Sequence, residues 1–256
     1  MTVLKLLRLA GHLLAGVLTI LLLFPHLDET ERGRRVTRWA AKMLAILGVE
    51  VVSRGRPPAV RGGGAMLVSN HVSWLDVHVF HSLLPVRFIS KAEVRGWPVI
   101  GWLAEEVGTV FLVREKKSDA LRVNKLMAQH LRNGELLALF PEGTTSDGTA
   151  VLPFYPSLFQ PAVEAQAQIW PVRLRYLDAR GGHNEAAAYY GGMTLVESLW
   201  RVARQDRVVV EAEFLPVIPN QDGLGRRDLA RQAETVIRGA DAGTDMAPES
   251  TARHPA

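Results

Sequence analysis

Short apolar runs alternate with helix-forming stretches along most of this chain, and that alternation restricts its fold more than any other feature. Residues 65–69 (AMLVS), 86–90 (VRFIS), 108–113 (GTVFLV), 135–140 (ELLALF), 169–176 (IWPVRLRY) and 207–214 (RVVVEAEF) read as strands, several of them buried on both faces. Between them lie helical patterns at 72–84, 98–106, 156–167 and 195–204, with a last one at 226–238. Another helix starts at a Ser118 cap and runs to Asn133, with Gly134 just past its end. Strands separated by helices cannot pair as hairpins. The expectation is therefore an α/β fold, with a mostly parallel central sheet flanked by helices. With 256 residues, 48% of them hydrophobic, the chain can bury one good-sized core. No internal repeat interrupts the pattern.

The N-terminus departs from it. Residues 9–25, LAGHLLAGVLTILLLFP, are apolar apart from His12 and a threonine. As a helix they span about 25 Å, a little short of the ~30 Å hydrocarbon core of a bilayer. Lys5 and Arg8 could lead a signal peptide, but no small-x-small cleavage site follows FPHLDE, so residues 1–29 are expected to stay as a membrane anchor. Residues 31–47 then place Val36, Trp39, Ala40, Met43, Leu44 and Leu47 at helical spacing, with Arg35, Arg38 and Lys42 on another face. An ordinary helix packed on the domain would look the same. Directly after a membrane-length run, though, a basic amphipathic helix with a tryptophan over 30–48 suggests contact with anionic headgroups. Basic residues flank both ends of the apolar run, so a shallow hairpin is expected in place of a clean span. A folded domain is expected over 49–239, with 54–64 (RGRPPAVRGGG) a Pro- and Gly-rich connector and the small, polar 240–256 an unstructured tail.

A net charge of +4 fits nucleic acid, an anionic membrane or a phosphorylated substrate. Nucleic acid is the poorest of these, because the densest basic cluster adjoins the apolar N-terminus and is not an aromatic-interleaved face of the domain. Cysteine is absent, which excludes disulfides, thiolate nucleophiles and cysteine metal sites.

Candidate chemistry gathers at strand ends. His71 follows the first of these strands and Asp76 lies within the next helix, in NHVSWLD. Residues five apart stand about 140° from one another on a regular helix, so the two meet only if His71 sits in the turn before it. A carboxylate on one ring nitrogen would fix the tautomer and free the other nitrogen to take a proton. A histidine satisfied for structural reasons is an equal reading of this pair alone. His78 and His81 extend it toward a metal site, but their spacing matches no standard zinc pattern. Ser73 lacks the Gly-x-Ser-x-Gly elbow of a nucleophile. At two more strand ends stand Arg114, in GTVFLVR, and Glu142 with Gly143, in FPEGTTSDG. Arginine offers a fork of donors to an oxyanion, and glycine lets backbone approach a ligand; a surface arginine and a plain turn are the alternatives.

Taken together, NHVSWLD, GTVFLVR, FPEGTTS and IWPVRL resemble the four ordered blocks of the phospholipid/glycerol acyltransferase family, over about residues 30–215. The resemblance implies transfer of a fatty acyl chain from acyl-CoA or acyl-carrier protein to the hydroxyl of a lysophospholipid. It implies no metal and no cofactor beyond that co-substrate. His71 matches the family's base, Asp76 its partner and Arg114 its phosphate-binding arginine. Glu142, Gly143, Thr144 and Thr145 fall in the acceptor-binding block, and Pro171 in the fourth block near the acyl site. Where the third block usually reads FPEGTRS, Thr145 replaces the arginine. The expected acceptor is 1-acylglycerol-3-phosphate, giving phosphatidic acid, with a lyso-ornithine lipid as the alternative. A non-catalytic lipid-binding protein on the same fold is a weaker third. The expected setting is a bacterial-type inner membrane, with the folded domain on the cytoplasmic side.

Overall fold

The computed structural model describes residues 1–58, 64–112, 117–220 and 224–240. Two long helices open the chain, α1 (Thr2–Leu22) and α2 (Glu29–Leu47), joined by a 3-10 turn at Phe24–His26. They pack against each other as an antiparallel pair. Asp28 caps α2 by accepting from Glu31 N–H at 2.8 Å, and Gly48 ends it in the left-handed conformation at φ 80°. Polar and packing contacts fix α1 to the rest. Lys5 Nζ donates to the carbonyls of Leu47 (2.8 Å) and Gln205 (2.7 Å). His12 Nε2 meets the Trp39 carbonyl at 2.9 Å, with its ring stacked on Trp39. Gly16 leaves no room for a side chain, since a Cβ there would lie 2.7 Å from Trp39 Nε1.

The helical reading of 31–47 holds, but its apolar face turns inward. Ala40, Met43, Leu44 and Leu47 are buried, and Trp39 donates to the His12 carbonyl at 3.2 Å. Trp39 is half-buried in the helix pair, and of the basic face expected from the sequence Arg38 and Lys42 are exposed, whereas Arg35 is half-buried on the same side as Val36, Trp39 and Met43. Packing one face of the indole against α1 removes part of its apolar surface from water.

Among the described residues seven strands follow, in the spatial order β1-β7-β6-β2-β5-β3-β4. They are β1 (Val49–Arg54), β2 (Ala65–Ser69), β3 (Arg87–Lys91), β4 (Val110–Leu112), β5 (Leu136–Leu139), β6 (Gln168–Leu177) and β7 (Val208–Phe214). From β6 to β4 neighbours are parallel; β7 runs antiparallel to β6, with β1 parallel to β7. β1 was not legible in the sequence. It is an edge strand following directly on a helix, and its partner in the sheet lies far along the chain.

Alternate residues of β2 feed two apolar layers, Leu67 one and Met66 and Val68 the other. α2, α3 (Leu75–Leu83) and α8 (Leu195–Arg204) cover the first face. α6 (Lys117–Arg132), α7 (Gln160–Ala165) and α9 (Arg226–Gly239) cover the second. The helix expected near 98–106 is α5 (Ile100–Glu106), preceded by a single turn, α4 (Ala92–Arg95). That expected at 156–167 is a 3-10 turn leading into α7. Gly134 follows α6 at φ 83°, as the sequence suggested. The cap expected from the Ser118 side chain, residues 59–63 of the connector and the tail beyond residue 240 lie outside the described residues.

Candidate active site

β2 is buried over its full length at the middle of the sheet, so the chain leaving it emerges at the centre of one sheet edge. The next residue, Asn70, continues the ladder with its side chain. Its Nδ2 donates to the Leu174 carbonyl at 2.9 Å, and its Oδ1 accepts from Leu174 N–H at 2.8 Å. An amide that mimics a peptide unit lets the backbone leave the sheet without losing the pairing to β6. His71 is thereby placed in the turn ahead of α3, the position its meeting with Asp76 requires.

His71 Nδ1 lies 2.8 Å from Asp76 Oδ2. The same oxygen accepts from the backbone N–H groups of Val72 (2.8 Å) and Ser73 (3.0 Å). The other carboxylate oxygen accepts from Tyr176 Oη at 2.5 Å. Asp76 is fully buried, so each of these donors offsets the cost of removing a carboxylate from water. Asp76 thereby satisfies backbone N–H groups of the turn that leads into α3 at Leu75. An acceptor at Nδ1 puts the ring proton there. Nε2 is left without a protein partner among the described residues. The imidazole stacks on Phe140, ring centroids 3.9 Å apart and planes within 6°, which holds its orientation from the other side.

The FPEG loop follows β5, the neighbour of β2, and is tied to the same turn. Ser146 N–H donates to the His71 carbonyl at 2.9 Å, and Gly143 takes a positive φ of 69° in a turn closed onto the Phe140 carbonyl. Gly143, Thr144 and Thr145 line the cavity beside His71. Glu142 is placed differently. Its carboxyl is buried under the loop, accepts from Leu152 N–H at 3.2 Å and is not on the cavity wall. Burial pushes its pKa up to about 8, against the pull of the Leu152 and His71 backbone N–H groups, and the nearby Asp76 charge adds to the rise. It props the loop from beneath. Arg114 lies outside the described residues. Pro171 sits within the sheet, opposite Val68 in register, and not on the cavity wall.

The cavity has a volume of about 540 Å³, within the range of small-ligand sites. It runs between α1, α2 and α3 on one side and β3, α4 and α5 on the other, with His71 on its wall. Leu9, Leu13, Ile20, Trp39, Phe88 and Leu103 make it mostly apolar, and Arg35 and Lys91 add cations. His78 and His81 also face it. Burial lowers His78 to about 3 and His81 to about 4, so both rings are neutral. Among the described residues no group of three or more His, Asp or Glu side chains is arranged to hold a metal. Such a site combines an oriented imidazole with a mostly apolar cavity.

The family model described as Acyltransferase matches residues 49–175. A lyso-ornithine lipid O-acyltransferase from Pseudomonas aeruginosa is 40% identical over 231 residues, 90% of this chain and 86% of that protein. The chain belongs to the acyltransferase family. A 1-acyl-sn-glycerol-3-phosphate acyltransferase from Neisseria meningitidis is 34% identical, covering 81% of this chain and 80% of its own. The crystal structure of the 1-acyl-sn-glycerophosphate (LPA) acyltransferase PlsC from Thermotoga maritima shares the fold, with a TM-score of 0.68 at 20% identity. That likeness covers 97% of this acyltransferase and all of the other chain.

Two members of the site, Asn70 and Tyr176, were not singled out by the sequence. Asn70 stands beside His71 and had a readable signal in the Asn-His pair. Tyr176 had none, because it reaches Asp76 from 100 residues away.

Proposed function

We propose that this acyltransferase moves a fatty acyl chain from a thioester donor, acyl-CoA or acyl-carrier protein, to the free hydroxyl of a lysolipid at a membrane surface. The free Nε2 of His71 on the wall of an apolar cavity carries this reading. An alcohol is too weak an acid to attack a thioester unaided. His71 Nε2 takes its proton as the oxygen bonds to the acyl carbon, Asp76 stabilises the imidazolium, and the proton passes to the departing thiolate as the C–S bond breaks. The product is an ester and a free thiol, with no acyl-enzyme.

α1 supports the membrane setting. It is long and apolar enough to cross a bilayer, and Leu4, Leu7, Leu14, Leu18, Leu21 and Leu22 are exposed along it. The domain would then stand on the cytoplasmic face of a bacterial-type inner membrane, where acyl-CoA and acyl-carrier protein are made.

For the acceptor, the 40% identity to the Pseudomonas enzyme and the threonine at 145 favour a lyso-ornithine lipid. A second arginine has less use against a zwitterionic headgroup than against a phosphate dianion. The 34% identity to the Neisseria enzyme supports 1-acylglycerol-3-phosphate as the second reading. Purified enzyme with labelled acyl donor and both lysolipids decides between them. Faster transfer to lyso-ornithine lipid is the expected result. Transfer to 1-acylglycerol-3-phosphate alone would reverse the order, and transfer to neither would remove the reading.

A further inference from the structure

α8 lies far along the chain from the N-terminal helices, and its three faces have three different neighbours. Ser198, Val202 and Ala203 are buried against the domain, where Ser198 Oγ accepts from Trp74 Nε1 at 3.1 Å. Leu195 and Leu199 line the cavity that reaches His71. Val196 and Trp200, one helical turn apart, point outward and are 77% and 46% exposed. A ten-residue helix capped by Thr194 does not need a tryptophan and a valine in water for its own stability.

The outward row is continuous with another apolar surface. Leu6 of α1 shares a crevice with Val196, Leu199 and Trp200, with Thr194 and Glu197 at its edge, and the exposed leucines of α1 extend from there. Arg204 continues the row beyond Trp200 and is exposed, and Arg8 is exposed on the adjoining stretch of α1. Aromatic rings beside arginines that can reach past them are the composition of a helix lying at a lipid headgroup boundary. The arginines match anionic headgroups.

We infer that the Val196–Trp200 face of α8 is a second membrane contact, which seats the folded domain on an anionic bilayer alongside α1. The inference rests on the membrane setting of the proposed function and adds to it a contact from the C-terminal half of the chain. Since the opposite side of α8 walls the cavity, the contact places the route to His71 next to the lipid from which the acceptor comes.

The test uses the full chain and vesicles containing phosphatidylglycerol. Brominated lipid should quench part of the tryptophan emission of the wild type, and Trp200→Phe should lose that part. Val196→Glu/Trp200→Glu should bind vesicles about tenfold or more weakly. It should acylate vesicle-borne lysolipid more slowly while keeping wild-type turnover on lysolipid in detergent micelles. Quenching that is the same in wild type and Trp200→Phe, or double-variant binding equal to wild type, overturns the contact. A double variant that loses self-association in sedimentation yet binds vesicles normally assigns the face to a second copy, which also overturns it. Wild type that stays off vesicles altogether removes the membrane setting itself. Wild type that binds, with an indifferent double variant, removes only α8.

Discussion

Asp76 accepts four hydrogen bonds, and their disposition sets what each neighbour does. Tyr176 holds the oxygen that His71 does not use, so Tyr176→Phe should leave the cavity intact and let the carboxylate rotate. Removing a hydrogen bond to a buried charge costs about 1.5–3 kcal/mol, so turnover should fall roughly tenfold or more with little change in KM. An effect confined to KM would contradict that role. Asp76→Asn should slow turnover in the same way and more severely, because an amide can hold the wrong tautomer. Glu142 makes a prediction about pH. Its pKa of about 8 lies above the ordinary 4.5, so the folded chain keeps a proton that the unfolded chain gives up. The stability this supplies is complete below pH 4.5 and is lost as pH rises toward 8. Glu142→Gln should therefore be more stable than wild type at pH 8, with the gain disappearing near pH 4.5 in denaturant melts. A constant difference across that window would place the ionisation elsewhere. The residues that sequence pattern located, His71 and Asp76, belong to one local motif. Tyr176 and the supporting place of Glu142 depend on contacts across the sheet, which no local pattern encodes.

Among the elements, β2 through β7 and most of the helices between them were legible, because the strands are short, mostly apolar stretches and the longer helices keep their period. β1 was not, since an edge strand beside β7 needs little hydrophobicity of its own. The orientation of α2 was also hidden. Its period marks an apolar face but not that α1 packs on it, which depends on Gly16 and His12 of α1 meeting Trp39. Gly16→Val tests that joint. Its branched side chain cannot fit where a Cβ already lies 2.7 Å from the indole, so α1 should separate from α2 and the cavity wall should open. Overpacking of this kind costs about 1–3 kcal/mol, read as a lower melting temperature together with weaker lysolipid binding. Wild-type stability and binding would mean that α1 does not form that wall.

For the whole molecule, sheet, helical hairpin and α8 together make a mostly apolar cavity with the Asp76-held His71 on its wall. Which lysolipid enters it is a question of charge, and Thr145→Arg probes it. With a phosphate acceptor, an added arginine should lower KM; with a lyso-ornithine acceptor it should raise KM, through a cation set against the ornithine ammonium. The direction of the change separates the two readings. Whatever the acceptor, the proposed chemistry depends on His71 taking the proton. The measurement that tests this most directly is the rate of labelled acyl transfer to lysolipid by wild type and His71→Ala, prepared side by side with matched melting curves. The rate should fall on the order of 10²–10⁴-fold while KM for the lysolipid stays near wild type. A variant that folds normally and still turns over at close to the wild-type rate would contradict it.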